Sequence, residues 1–162
     1  MQPPLSLLSL ALRVIPPAVH NALLARLFNH LLKGQSVSER LGELDGKRIA
    51  IDITDTGTVL DFQIRHGGFY RSANQDASAW DVCIRGKLEH FWLLASRAED
   101  PDTLFFNRQL AIEGETATGL YIKNLLDALD YRWDAHFQAV LGERAGGLLQ
   151  RLIAPVFHPD SR

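Results

Sequence analysis

Two acidic residues flank a glycine at Glu113-Gly114-Glu115, where an alternating segment meets a helical one. Paired carboxylates catalyse reactions when both face one cleft and one of them has a raised pKa. Glu113 is out of phase with Ile112, which places it on the polar side of a strand. Gly114 permits a turn, and Glu115 precedes a helix, whose N-terminus favours an acid by about 0.3–1 kcal/mol. We therefore interpret both acids as parts of a turn.

Cys83 is the single cysteine, and it lies mid-strand, out of phase with Val82 and Ile84. A nucleophilic thiol requires an activating base, and no histidine is positioned by the pattern to serve as one. The six histidines show no metal-binding spacing, and no serine or glycine motif matches a nucleophile elbow or a phosphate loop. The sequence predicts no enzyme, no metal site and no cofactor. A lone cysteine favours a reducing compartment, which predicts a cytoplasmic location.

The charge of the chain is nearly balanced, with a formal net value of −2 and a pI near 6.3. No basic stripe is present, so a nucleic-acid partner is not predicted. The chain has 162 residues, of which 46% are hydrophobic, enough for one domain with a real core.

Alternation of apolar and polar residues predicts five short strands, followed or preceded by segments of helical period. The strands are predicted near 49–53, 60–64, 69–72, 80–84 and 110–112, with Gly67-Gly68 as a hairpin turn. Helices are predicted at 18–33, 86–97 and 118–130, and further ones after 131. The fold class is α+β, with a mostly antiparallel sheet, helices packed on one of its faces, and amphipathic helices at both termini.

Three regions follow from this pattern: an N-terminal helical segment at 1–34, a central domain at 35–130, and C-terminal helices and tail at 131–162. The segment "LSLLSLALRVIPP" at 5–17 has about half the roughly 20 apolar residues that a membrane span needs. It also lacks the features of a cleaved signal. A helix lying on a surface is predicted, and that surface is the bilayer, a second subunit in a homodimer, or the protein's own sheet.

Apolar residues exceed what one sheet face needs, since "FWLL" lies in helix 86–97 and "LFF" at 104–106. The surplus indicates either a dense core or a cavity for a lipid, whose burial is worth about 0.8 kcal/mol per methylene. For a cavity, the predicted lining residues are Phe62, Phe91, Trp92, Phe105, Phe106, Leu120, Ile122, Leu125 and Leu126.

The stretch "EDPDTLFFNRQLAIEGETATGLYIKNLLDALD" at 99–130 resembles the sterol-carrier-protein type 2 family. Within it, "DPDTLFF", "IEG" and "GLYIKNLLDA" are similar to the lipid-binding accessory factors of oxygen-independent ubiquinone biosynthesis, and the wider resemblance covers about 37–130. It implies a non-catalytic protein that holds a prenylated quinone precursor or a phospholipid in an apolar tunnel. The implied partners are iron–sulfur hydroxylases of ubiquinone biosynthesis, and the implied location is the cytoplasm or the inner-membrane surface. The alternative is a scaffold or membrane-surface adaptor without a lipid cargo.

Overall fold

The structure, a computed structural model, describes residues 5–33, 37–72 and 79–128. The helices predicted after 131, and the C-terminal region 131–162 that contains them, lie outside the described residues. The limits predicted for the three regions stay a prediction.

One mixed sheet of five strands forms the centre of the described fold. Its strands are β1 (Arg48–Ile53), β2 (Thr58–Arg65), β3 (Gly68–Arg71), β4 (Val82–Gly86) and β5 (Leu110–Gly114). They lie in the order β3-β2-β1-β4-β5. Three neighbouring pairs are antiparallel, while β1 and β4 at the centre are parallel. The predicted α+β class with a mostly antiparallel sheet is confirmed.

Six α-helices accompany the sheet in the described residues: α1 (Leu5–Val14), α2 (Pro17–Leu32), α3 (Val37–Leu41), α4 (Leu88–Ala95), α5 (Pro101–Phe106) and α6 (Thr116–Ala128). Pro17 occupies the first turn of α2, where its missing N–H costs nothing. No helix in the described ranges is long and apolar enough to cross a bilayer.

The hairpin between β2 and β3 turns one residue earlier than the sequence predicted. Arg65 pairs with Gly68, so the two turn residues are His66 and Gly67, whose φ values are 49° and 67°. A two-residue turn with both φ values positive matches the right-handed twist of the flanking strands. Gly68 instead begins β3, where it lies against the side chain of Asn29.

Helix α5 was not predicted, although its first turn carries a clear sequence signature. Asp100 is its N-cap residue, and the Asp100 side chain accepts a hydrogen bond from the backbone N–H of Thr103. Pro101 follows as the first helical residue, which its fixed φ favours. The Asp-Pro pair before an apolar run therefore indicates a helix start within "DPDTLFF".

The sheet presents two faces of opposite character, because alternate side chains of a strand point to opposite sides. We define the apolar face by Ile49, Ile51, Ile53, Leu60, Phe62, Ile64, Val82, Ile84, Leu110 and Ile112, which are neighbours in the pairing register. The polar face is defined by Arg48, Ala50, Asp52, Asp61, Gln63, Cys83, Arg85 and Glu113.

Helices pack their buried side chains against the apolar face. Ala25 of α2 and Leu88 of α4 cluster with Phe62 and its neighbours. Leu32 of α2 and Ile122 of α6 cluster with the strands at the centre of the sheet. Helix α2 is therefore part of the same core as the sheet. This arrangement corresponds to the alternative in which the N-terminal segment packs on the protein's own sheet.

Candidate functional site

A small cavity lies between α2, the apolar face and α6. Its volume is about 80 Å³. Ten side chains line it, all of them apolar: Phe28, Leu31, Leu32, Ile49, Ile51, Phe62, Phe69, Ile84, Ile122 and Leu126. A lining of this kind suits a hydrocarbon group, because it offers dispersion contacts and no polar group that a ligand must satisfy.

Asn29 fixes α2 over the cavity by bonding to the backbone of the edge strand β3. Its side-chain N–H donates to the carbonyl of Phe69 at 2.7 Å, and the Phe69 N–H donates to Asn29 Oδ1 at 2.6 Å. The amide therefore pairs with β3 much as another strand would. The neighbouring Gly68 has no side chain, and a Cβ there would lie 3.0 Å from Asn29 Oδ1.

Three phenylalanines form the aromatic wall of the cavity. The ring of Phe28 on α2 lies 5.8 Å from that of Phe62 and 5.4 Å from that of Phe69. Phe62 and Phe69 are 6.0 Å apart with their planes at 85°. The two edge-to-face contacts, Phe28–Phe62 and Phe62–Phe69, add about 0.5–1.5 kcal/mol each beyond the buried area. The wall therefore couples the position of α2 to two strands of the sheet.

Helix α6 contributes Ile122 and Leu126, which lie one turn apart on the same side of the helix. Gly119 lets this helix approach β5 closely, since a Cβ at that position would lie only 2.6 Å from Ile112 Cγ2. Tyr121 donates a hydrogen bond to the Arg40 carbonyl from its hydroxyl. These contacts hold α6 against the sheet and position its two lining residues.

The nine residues predicted to contact a lipid are placed in three different settings. Phe62, Ile122 and Leu126 line the cavity. Four others are buried or half-buried on α4, α5 and α6 and are not among the lining residues: Phe91, Trp92, Phe105 and Leu125. Phe106 and Leu120 are exposed, at 88% and 56%, and are not among the lining residues. Lipid contact by any of the nine stays a prediction.

Sequence reasoning did not include the α2 residues Phe28, Leu31 and Leu32 in the predicted lining. The helical spacing of 18–33 predicts that these residues share one face of a helix, and the predicted regions place that helix in a separate N-terminal segment. Sequence spacing identifies the packed face of a helix without identifying the surface on which that face packs.

Glu113, the first acid of the opening motif, is held in an ion-pair chain on the polar face. Its carboxylate lies 2.8 Å from Nη1 of Arg85, whose Nε donates to Asp52 at 2.8 Å. The hydrogen bond to Asp52 is the largest cause that raises the pKa of Arg85, followed by the charge of Glu113. The Glu113 carboxylate therefore balances a guanidinium.

Glu115, the second acid, stabilises the junction between β5 and α6. It accepts hydrogen bonds from Lys47 Nζ and from the Thr118 hydroxyl, both at 2.6 Å. These two bonds lower the pKa of Glu115, whereas a general acid needs a raised one. Gly114 between the acids has φ 106°, and a Cβ there would lie 2.2 Å from the carbonyl oxygen of Asp81. The structure therefore corrects the predicted turn: Glu113 and Gly114 belong to the end of β5, and only Glu115 lies between the strand and α6.

Cys83 is buried on the polar face beside Ala50, its partner in the register. Burial raises the pKa of the Cys83 thiol above its ordinary value. A thiol of this kind is a poor nucleophile at neutral pH, because the reactive thiolate is scarce.

Residues 28–127 match the SCP-2 sterol transfer family, and the chain belongs to that family. It is similar to the ubiquinone biosynthesis accessory factor UbiT of Escherichia coli strain K12, with 33% identity over 125 residues, 77% of this chain and 70% of the relative. The solved structure of a UbiJ-SCP2 ubiquinone synthesis protein aligns with a TM-score of 0.55 and 15% identity. That alignment covers 68% of this chain and 95% of the other, and it shows a shared fold.

Proposed function

We propose that this protein is a non-catalytic, lipid-binding accessory factor of ubiquinone biosynthesis. It carries or presents a prenylated quinone precursor, or a phospholipid, in the oxygen-independent form of the pathway. The apolar cavity beneath α2 carries this proposal, because its lining is wholly apolar and offers dispersion contacts to a hydrocarbon group. The similarity to UbiT supports the pathway, and the family description supports the class of ligand.

The cavity is the starting point of a lipid site that opens further when occupied. Its volume of about 80 Å³ is below the roughly 300–1,000 Å³ of ordinary ligand pockets. Each methylene that enters gains about 0.8 kcal/mol, so a chain of several carbons offsets the displacement of side chains that pack only by dispersion. Phe28 and Leu126 are only partly buried, and outward movement of α2 or α6 at these residues enlarges the space.

Native mass spectrometry and solvent extraction of protein purified from its native host test the cargo directly. We expect a co-purifying prenylated phenol, prenylated quinone or phospholipid. Leu126→Phe fills the cavity and should cut the lipid retained by about tenfold, because the larger ring occupies the space that the lipid chain needs. Leu120→Phe adds the same atoms to an exposed position of the same helix and should retain the parental amount. Lipid-free protein that also fails to bind added lipid would refute the carrier.

The accessory role requires partners that use the cargo. We propose that iron–sulfur hydroxylases working without oxygen receive the prenylated substrate from this protein, with no chemical step on the carrier itself. Complementation of a strain lacking the protein, under anaerobic growth, tests the pathway. Ubiquinone restored by the parent but not by Leu126→Phe supports this role. Ubiquinone restored equally by the parent and by Leu126→Phe argues for a scaffold that needs no lipid cargo.

An exposed apolar surface on α1 and α2 favours a further role at the cytoplasmic surface of the inner membrane. Leu10 and Val14 lie one turn apart on α1, and Val19 and Leu23 lie one turn apart on α2; Val14 is 72% exposed. Ile15 lies between the two helices and is also exposed. Apolar side chains at helical spacing on a surface fit insertion into the interface of a bilayer. The same surface would serve a homodimer, and the test below separates the two.

Liposome flotation tests the membrane role with point substitutions. Deletion of 1–34 is unsuitable, because α2 supplies buried residues of the core. Val14→Asp combined with Val19→Asp should abolish flotation, while Val59→Asp, at an exposed position on β2, should leave it unchanged. Equal flotation of both variants would exclude this surface as the membrane contact. A loss of dimer in the double variant, without flotation of the parent, would assign the surface to a second subunit.

A further inference from the structure

Two polar side chains are buried in α2 without hydrogen-bond partners for some of their atoms. His20 and Asn21 are each only 8% exposed. Neither ring nitrogen of His20, nor the side-chain oxygen of Asn21, has a partner in the part of the chain that the structure describes. An unsatisfied buried polar group costs about 1–3 kcal/mol, so such groups are rare unless something else satisfies them.

Helical spacing places these two residues in line with the cavity. Residues three or four apart lie on the same side of a helix, so the row from His20 passes through Leu24 to Phe28. The row from Asn21 passes through Ala25 to the same phenylalanine. At 1.5 Å per residue, His20 is about 12 Å from Phe28 along the helix axis.

Apolar packing is continuous between the polar pair and the cavity. Leu24 and Ala25, one turn beyond His20 and Asn21, belong to the same hydrophobic cluster as Ile51 and Phe62. Ile51 and Phe62 also line the cavity. The side chains between the cavity and the two unsatisfied polar groups are therefore apolar, and a guest whose tail displaces them would bring its head to His20 and Asn21.

We propose that His20 and Asn21 form the head-group site of the bound lipid and select a neutral, hydroxylated head such as a phenol. This inference rests on the proposed function and narrows its ligand. A neutral imidazole supplies one donor and one acceptor, and the Asn21 oxygen supplies an acceptor. The complementary head needs a hydroxyl to donate and an oxygen to accept, which a phenol bearing a second oxygen provides.

A phospholipid head fits this pair less well. Its phosphodiester is permanently charged, and burying that charge without a paired cation is costly. A phenol has no such charge and meets both kinds of unsatisfied group. The polar pair thus discriminates between the two cargo classes that the apolar cavity accepts alike.

Calorimetric titration of delipidated, full-length protein tests the head-group site with two probes that share one tail. One probe is a methoxyphenol carrying a geranyl chain, and the other is the same compound with its hydroxyl methylated. The parent should bind the phenol about tenfold or more tightly than the ether, since the ether cannot donate. His20→Leu and Asn21→Leu should each reduce that preference to about threefold or less, because each removes an acceptor for the phenol hydroxyl.

Thermal melting without ligand separates this role from a structural one. Replacing an unsatisfied buried polar group by an apolar one should keep or raise the melting temperature, in contrast to the loss of phenol binding. Asn124→Leu, at an exposed site on α6, is the matched control and should change neither the preference nor the binding of the ether.

Each outcome decides one of the two proposals. Equal binding of both probes by the parent would overturn the head-group site while leaving the lipid carrier intact. If the protein binds neither probe and also binds no other lipid, the carrier itself is refuted. A phenol preference that persists in both Leu variants would also overturn the assignment to this pair. If the variants fail to fold, the parental comparison alone still decides the selectivity.

Discussion

The two faces of the sheet are formed by the same strands, but their side chains are stabilised by different interactions. On the polar face, side chains such as Arg85 and Glu113 form directional ion pairs beside the buried Ala50 and Cys83. On the apolar face, helices pack by non-directional contacts, and a cavity remains between α2 and α6. Ion pairs fix their partners at short distances, whereas apolar packing can rearrange around a guest. The proposed lipid site therefore lies on the helix-covered face, where packing can rearrange.

Substitution at Phe62 should show the largest effect, because this residue lies on the apolar face and is fully buried. Phe62→Ala should lower the free energy of unfolding by about 3–5 kcal/mol in urea titrations, through lost burial and a larger cavity. The adjacent Gln63 points to the polar face, and Gln63→Ala should change stability by about 0.5 kcal/mol or less. Similar losses for the two variants would contradict the contrast between the faces.

Removal of the Asn29 side chain should have a smaller but still large effect. Asn29→Ala leaves the N–H and carbonyl of Phe69 without their partners and should cost about 1–3 kcal/mol. Hydrogen exchange at the Phe69 amide should accelerate by about tenfold or more, because the edge of β3 opens. Asn124→Ala, at an exposed helical site, is the control. Unchanged protection of Phe69 would mean that α2 is held by apolar packing alone.

The strands were predictable from sequence because their alternation is local. Ile49, Ile51 and Ile53 repeat at period two, and a half-buried strand imposes that period. The parallel pairing of β1 with β4 was not predictable, because no local pattern in residues 48–53 identifies a pairing strand about 30 positions away. Sequence gives the face of a strand but not its neighbour in the sheet.

The candidate site was predictable only in part. Ile122 and Leu126 follow from the helical spacing of α6, and Phe62 from the alternation of β2. The bond from Asn29 to Phe69 spans 40 positions, so no local pattern indicates it. His20 is a polar residue in an amphipathic helix, and such residues are usually solvent-exposed. Only its burial in the folded chain distinguishes it from a surface residue.

Substitution on the polar face should cost little per residue. Glu113 and Arg85 are about two-fifths exposed, and water screens a pair of this kind. Glu113→Gln should therefore lower the free energy of unfolding by about 1 kcal/mol or less and leave lipid retention unchanged. Chemical denaturation and extraction measure the two quantities. Loss of lipid in a fully folded Glu113→Gln variant would show that the polar face takes part in binding.

The smallest effect is a pH dependence at Glu115. Hydrogen bonds from Lys47 and Thr118 hold the pKa of Glu115 below its ordinary value of 4.5. The folded state therefore binds this proton less tightly than the unfolded state, so the carboxylate stabilises the fold above about pH 4.5. That contribution is lost as the pH falls through the lowered pKa.

Comparison of the parent with Glu115→Gln across pH tests this account. The difference in unfolding free energy should be largest near neutral pH and shrink in acid, where the parent is itself protonated. Added salt should reduce it, because the ion pair with Lys47 is exposed. Glu39→Gln, at an exposed site on α3, is the control for the loss of one acidic charge. If the difference in unfolding free energy between the parent and Glu115→Gln stays constant with pH, the charge of Glu115 does not stabilise the fold. The role of Glu115 would then be the hydrogen bond with Thr118, which a glutamine also makes.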